Sequence, residues 1–507
     1  MQIVHIASSQ DLTGADRRLY RALEILPGAL AWATLVGVVL LSWLAPVAAA
    51  VFIIVFDLYW LIKTVFLSLH LRAHWTRFQD NLTVDWNARL ESLKWEHLWQ
   101  LVILPMYQED EAVVRTSIQS LLKTTWPKSR MIVVLAVEER AGEHMEAVAR
   151  EIADQYAHEF GRFLVTQHPA NLPSELPGKG SNETWAAREA VSKIIDAEHI
   201  PYESVLVSSL DIDTQVYPQY FSCLAYHFLT SEAPFRSSFQ PVPIYNNNIW
   251  DTPALSRVVA TSGTFWQMMQ QERPERLTTF SSHSMSLKSL AEIGFWQKNI
   301  VSEDSRIFWN HFFAYDGDYR VVPLGYPVSL DANLAPTFLQ TIKNVYRQQR
   351  RWGWGVENVP YVLFNFIRNK NISRRQVWYF TTVLLEGFWS WATNALIIFM
   401  LGWLPLTLGG RVFNTSLLSY NLPRITRALM TFAMVGMVTS AIISTKLLPP
   451  RPQGHSRFRS FSMVLQWVLV PLTIIIFGSI PGIEAQTRLM LGGKWRLGFW
   501  VTPKHRK

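Results

Sequence analysis

Two aspartates one residue apart, Asp211 and Asp213, stand in DIDT directly after the apolar run SVLVSSL. Carboxylates at a strand end can converge on a cation. Two of them with a diphosphate make a hard-oxygen site suited to Mg²⁺ or Mn²⁺. Asp-x-Asp by itself is common, and a solvated turn is the plain alternative. Its place at the end of an apolar strand favours the site. A second group is RQQRRWGWG, residues 347–355. Arginine offers phosphate oxygens a planar fork of donors, and tryptophan offers a flat apolar face. A solvated loop has no need of the tryptophans, and a packed core does not want the arginines. The stretch reads as holding something anionic beside something ring-shaped, with membrane-interface anchoring of the tryptophans as the alternative.

Other polar groups recur where apolar runs end. PMYQEDE (105–111) follows LVIL, and EER (138–140) follows MIVVLAV. LPGKGSN (176–182) precedes a helical pattern, and its Lys179 sits on a glycine turn at a helix N-terminus, a plausible phosphate or carboxylate site. Glu303 and Asp304, in NIVSEDSRIFW, read by themselves as a helix start, because acids favour the first turn. Taken singly, each group could be turn chemistry. The single cysteine, Cys223, excludes an intrachain disulfide and reads as a small core residue.

The elements that must position these groups alternate. Leu101–Leu104, Met131–Val137, Phe163–Thr166 and Ser204–Leu210 have strand character. Residues 111–123, 142–160 and 182–198 have helical spacing. Such alternation predicts a mainly parallel sheet covered on both faces, an α/β domain. Ligands of these sheets bind beyond the carboxyl ends of the strands, where the polar groups fall.

The whole chain of 507 residues is 49% hydrophobic and only 17% charged, lean in charge for a soluble protein. Residues 28–45 and 47–70 are each about long enough to span a bilayer, and further apolar runs cover 377–408, 428–445 and 462–482. The expected plan is a segment 1–27, a transmembrane hairpin 28–70, a globular domain 71–360, an interfacial helix 361–376, a transmembrane block 377–484 and a basic tail 485–507. Small residues near Pro46 could suit signal cleavage, but the second span follows at once and an uncleaved hairpin is the better reading. Arg17, Arg18 and Arg21 before the hairpin, and Arg72 and Arg77 after it, place both flanks in the cytoplasm. Three C-terminal spans would put the tail outside, whereas its basic residues argue for inside. The run 377–409, with Gly402 and Pro405, is a candidate broken or re-entrant segment. The net charge of +8 is explained by these membrane flanks, and no basic run is dense enough to favour nucleic acid.

The order of the groups resembles one family. P-x-Y-x-E at Pro105–Glu109, G-K-G at 178–180, strand–DxD at 211–213, the acid pair 303–304 and Q-x-x-R-W at Gln348–Trp352 occur in sequence, ahead of a membrane segment. This is similar to the membrane-integrated family-2 glycosyltransferases, the branch with cellulose, chitin and hyaluronan synthases. The likeness runs from about Trp99 to Trp352, and the closing WVTPK is similar to the tail of bacterial members. It implies a GT-A nucleotide-diphospho-sugar fold between transmembrane helices, a catalytic domain on the cytoplasmic face of the cell membrane, and inverting, metal-dependent hexosyl transfer. It further implies that Asp211 holds the nucleotide diphosphate and the metal, and that Asp213 completes the metal site. Asp304 would be the general base. Gln348 and Arg351 would contact the pyrophosphate, with Trp352 and Glu303 on the acceptor side. Tyr107 and Glu109 would line the nucleobase pocket, and Lys179 would lie beside the nucleotide. The chain departs from the family at Gln108, where Asn is usual, and in offering Glu138 or Glu139 for a usual Asp. SLKSLAEIGFW resembles the helix before the acid pair, but the residues preceding it differ, and Ser282 and His283 are candidates to face the acceptor.

Three readings follow. The first is a synthase that extends a polysaccharide at the membrane from a nucleotide-diphospho-sugar with Mg²⁺ or Mn²⁺. The second is a non-processive transferase with a lipid acceptor. The third is a non-enzymatic membrane scaffold, against which the intact acid set argues.

Overall fold

The computed structural model describes residues 5–454, 457–503 and 506. Eight strands form one sheet: β1 Trp99–Met106, β2 Met131–Glu138, β3 Arg162–His168, β4 Val205–Ser209, β5 Gln215–Val216, β6 Ser237–Tyr245, β7 His283–Ser286 and β8 Arg320–Leu330. Their spatial order is β3-β2-β1-β4-β7-β6-β8-β5. The first half, β3-β2-β1-β4, is parallel as expected. The second half is mixed. β7 runs antiparallel to β4 and β6, β5 antiparallel to β8, and only β6 and β8 are parallel. The antiparallel joints come from β5 and β7, which are too short and too polar to show a strand period in sequence.

The parallel half reads as continuous apolar runs because both faces are covered. Leu101, Ile103, Ile132 and Val134 pack against Ala186, Ala187 and Ala190 of the helix Lys179–Ala190. Val102, Leu104, Val133 and Leu135 face the other way, onto Val114, Ile118 and Leu121. Each such side chain, fully buried, stabilises by roughly 1.5–3 kcal/mol relative to exposure. The packed strands hold their carboxyl ends, and the loops after them, in fixed relation.

Among the described residues, five helical segments are long and apolar enough to cross a membrane. The hairpin is longer than the apolar runs suggest, with helices Gly14–Leu44 and Pro46–Thr83. The run 377–409 breaks: a helix Arg374–Phe399 stops, and short helices Leu404–Leu408 and Gly410–Asn414 follow, with Gly402 and Pro405 at the interruption. The helix Leu417–Lys446 returns.

The last segment is discontinuous, with a 3₁₀ turn at Gln466–Leu469 and a π turn at Ile475–Ser479. Both its ends are tied to the α/β domain. Gln466 accepts from Arg257 Nε at 2.7 Å, while Glu484 accepts from Tyr346 Oη at 2.6 Å and Arg350 Nη1 at 2.7 Å. The tail that follows lies beside the domain, with Phe499 against the Arg351 guanidinium.

The helix expected in the interface at 361–376 is instead Asn358–Arg368. Its residues from Val359 to Phe366 are buried. Its aromatic side chains are taken up by protein rings, Phe364 by Tyr20 at 5.4 Å and Tyr361 by Phe313 at 5.7 Å.

Candidate active site

A cavity of about 720 Å³ opens at the carboxyl ends of β1, β2 and β4. After β4 the chain turns, with Thr214 N donating to Asp211 O at 2.8 Å, and Asp211 and Asp213 line the cavity. Gly178, at a φ of 155° that favours glycine, starts the helix whose first residue is Lys179. The Lys179 ammonium lies 2.7 Å from Asp211 Oδ1, 2.8 Å from Asp304 Oδ1 and 3.7 Å from Glu183 Oε1. Lys179 and Asp304 are 125 positions apart in the chain. Ser281 Oγ donates to Asp211 Oδ2 at 2.6 Å. Asp304 sits in the first turn of the helix Glu303–Ala314, as the sequence suggested.

Charge in this corner is partly offset from within. Burial opposes the charge on Lys179, but Asp211 and Asp304 outweigh it and raise its pKa well above the usual value. Glu183 is fully buried, and burial lifts its carboxyl to about 8, with Lys179 pulling the other way. Burial and the neighbouring Asp304 likewise raise Glu303.

The opposite wall is the C-terminal end of the helix Phe338–Gly353. Gln348, Arg351 and Trp352 line the cavity. Among the described residues neither Gln348 nor Arg351 makes a side-chain hydrogen bond or ion pair, and Arg351 Nε is buried without a partner. The Arg351 guanidinium lies over Phe499 of the tail at 5.2 Å, and Val501 and Thr502 line the same cavity. Trp352 packs against Tyr245 and Phe280, at 6.0 and 5.8 Å. Its neighbours in sequence turn away. Arg350 pairs with Glu484 at 2.7 Å. Trp354 is buried and donates to Glu357 Oε2 at 3.0 Å.

Tyr107, Glu109 and Glu138 line the cavity beyond β1 and β2. Glu109 accepts from Tyr107 N at 2.7 Å. Glu138 is paired with Arg140, whose guanidinium also covers the Tyr107 ring at 4.4 Å. Glu139 instead accepts from Ala170 N at 2.7 Å. His283 is the candidate that the structure keeps out of the cavity. It is fully buried, donates from Nδ1 to Phe280 O at 2.9 Å and accepts at Nε2 from Trp296 at 3.4 Å. It stands 3.8 Å behind Asp304 Oδ1, and burial lowers its pKa, which keeps the ring neutral. Ser282 is buried too, bonded to Thr214 at 3.0 Å.

Three residues of the site lie outside the motifs read from the sequence. Glu183 follows Lys179 by one helical turn, a spacing that could have flagged it. Glu357 accepts from Val301 N, Ser302 N and Ser302 Oγ at 3.0, 2.9 and 2.8 Å, fixing the loop that leads into the acid pair. Asp331, at the end of β8, donates from its backbone N to Asp213 Oδ2 at 2.8 Å.

Among the described residues no group of three or more His, Cys, Asp or Glu is placed to hold a metal ion. The donor set still fits a hard cation shared with a ligand. Asp211 is 30% exposed toward the cavity, and Mg²⁺ is commonly held by one or two carboxylates plus substrate phosphates and water.

Residues 206–477 match a family model described as glycosyl transferase family group 2. A comparison with curated proteins returned no match. Among solved structures, a mannosyltransferase from Pyrobaculum calidifontis in complex with GDP-Man and Mn²⁺ is 12% identical, with 77% of this chain and 98% of that chain covered at a TM-score of 0.39. S. aureus TarS 1-349 with UDP-GlcNAc is 13% identical, covering 78% and 91% at 0.37. Glucosyl-3-phosphoglycerate synthase from Mycobacterium tuberculosis, solved with Mn²⁺, UDP and phosphoglyceric acid, is 13% identical, covering 53% and 79% at 0.32. Likenesses this loose carry no residue correspondence.

Proposed function

The chain belongs to glycosyl transferase family group 2, with a GT-A domain set between apolar helices, and from that premise we propose that it extends a polysaccharide at the membrane by inverting transfer from a nucleotide-diphospho-sugar. One observation carries this reading. Lys179 gathers Asp211 and Asp304 on one wall of a cavity, and Gln348, Arg351 and Trp352 line the same cavity.

Asp304 takes the proton of the acceptor hydroxyl. The freed oxygen bonds to the anomeric carbon from the face opposite the leaving group, and the bond from that carbon to the diphosphate breaks. Negative charge then gathers on the nucleotide diphosphate, where Arg351 and Lys179 offer it donors. Asp211 and Asp213 would hold Mg²⁺ or Mn²⁺ with the diphosphate, supplying Lewis-acid neutralisation of that charge. Trp352 presents its face to the acceptor sugar, beside Glu303. Tyr107 and Glu109 sit at the far end, where a nucleobase would lie, with Glu138 behind them. A cytoplasmic face of the cell membrane suits this arrangement, since nucleotide sugars are polar and the hairpin flanks are basic.

Incubating the purified chain in membranes with a panel of labelled nucleotide sugars, and sizing the products, tests the proposal. A long saccharide product supports it. A single added sugar on a lipid favours the non-processive alternative, and no nucleotide-sugar turnover with any donor overturns both.

A further inference from the structure

The cavity does not end at the α/β domain. It continues between the helices Pro46–Thr83 and Arg374–Phe399, where Trp60, Lys63, Glu386, Ser390 and Asn394 line it together with Arg276. Ionisable side chains in apolar spans are costly and mark functional positions. Lys63 and Glu386 meet as an ion pair, and Tyr59 Oη donates to Glu386 Oε1 at 2.5 Å. The Lys63 ammonium also lies 4.7 Å from the Trp60 ring.

Arg276, in the loop after the helix Ala254–Gln271, has no such partner. Among the described residues its guanidinium makes no hydrogen bond or ion pair, and its Nε is buried. The adjacent carboxylate of Glu275 is engaged by Arg273 at 3.0 Å. Burial and Arg273 together pull the Arg276 pKa below its usual value. Two cations against one carboxylate leave this end of the cavity positive. A half-buried guanidinium without an acceptor is completed by an anion, and a phosphate matches its fork of donors.

Depth points to the source of that anion. At about 1.5 Å per residue, Lys63 lies roughly 25 Å along its helix from Pro46. The hydrocarbon core is about 30 Å thick, so the cluster sits near the boundary on the α/β-domain side, where lipid phosphates lie. The cluster is also open to the outside: Tyr59 is 37% exposed, and the Glu386 side chain 28%.

We propose that this end of the cavity binds the phosphate of a lipid, and that the growing glycan is carried on that lipid phosphate with its other end reaching Asp304. The second half rests on the transferase reading, and the first does not. The test is binding of farnesyl phosphate to the purified full chain in nanodiscs, with farnesol and inorganic phosphate alongside, and UDP and GDP binding measured in the same samples. Farnesyl phosphate should bind more tightly than either comparison compound. Arg276→Gln should weaken it about tenfold or more, the scale of one hydrogen bond to a charged group, and Arg276→Lys should recover part of the loss. Nucleotide binding should not move in either variant, which also shows that they fold. Equal binding of farnesol, equal binding of inorganic phosphate, or no effect of Arg276→Gln overturns the proposal. Intact farnesyl phosphate binding in a chain that binds no nucleotide would instead overturn the transferase reading and leave this site standing.

Discussion

The acid corner and the arginine wall face each other across one cavity but are finished differently. The corner brings its own counter-charge, since Lys179 touches both Asp211 and Asp304. The wall does not: among the described residues Gln348 and Arg351 reach the cavity without a side-chain hydrogen bond or ion pair. A cluster with its own lysine is partly neutralised without a ligand, and a cation that enters must compete with that lysine. An uncompensated guanidinium is left for a ligand to complete. The donor diphosphate is therefore expected to bind first to the wall, with Asp211 and Asp213 the residues that would hold a divalent cation beside it.

The harshest test of that contrast is metal removal. Excess EDTA should abolish transfer and added Mg²⁺ or Mn²⁺ restore it, while Asp213→Asn should be inactive with metal present; full turnover in chelator would sink the metal assignment. Next comes Asp304→Asn, which keeps the shape of the corner but removes the proton acceptor. Transfer should fall by roughly a hundredfold or more with nucleotide binding intact. Normal turnover in Asp304→Asn together with a dead Glu303→Gln would move the base to the other member of the pair.

Lys179→Met would strip the corner of its internal cation. Breaking a buried pair by removing one partner costs about 3–5 kcal/mol, so thermal unfolding without metal should drop markedly. Added divalent cation should then stabilise this variant more than the parent. Equal metal response in both would show that lysine and metal do not compete.

Smaller effects are expected at the wall. Arg351→Lys should weaken nucleotide diphosphate binding, because an ammonium cannot copy the bidentate fork. Trp352→Ala should spare nucleotide binding and folding but impair transfer to the acceptor. Trp354→Ala should act through stability, given its burial against Glu357. Similar mild losses in both tryptophan variants would reduce Trp352 to an anchor.

A further effect is a pH dependence at the corner. The Glu183 carboxyl, ordinarily near 4.5, is raised to about 8. The folded chain then keeps a proton that the unfolded chain releases, so stability falls as pH climbs from 4.5 toward 8. Metal-free unfolding should show that decline, and Glu183→Gln should lessen it, leaving the part that Glu303 contributes.

The sequence by itself determined the parallel half of the sheet, because strands buried on both faces must be continuously apolar and are visible as such. It also marked the two long apolar helices near the N-terminus, through length and composition, and the polar groups at strand ends. Asp211, Glu303 and Gln348 are local signals of that kind. Only the tertiary structure decided what those groups meet. That one lysine joins residues from two distant loops is a long-range fact with no period to read. So is the burial of His283 behind the acid it was expected to accompany. The mixed half of the sheet escaped for a related reason, since β5 and β7 are held by partners rather than by their own pattern. That the tail packs beside the domain, with Phe499 against Arg351, is likewise a contact hydropathy cannot see. Nor could spacing tell Trp352 from Trp354, two identical rings two residues apart. Where the helix ends decides which one looks into the cavity and which into the core.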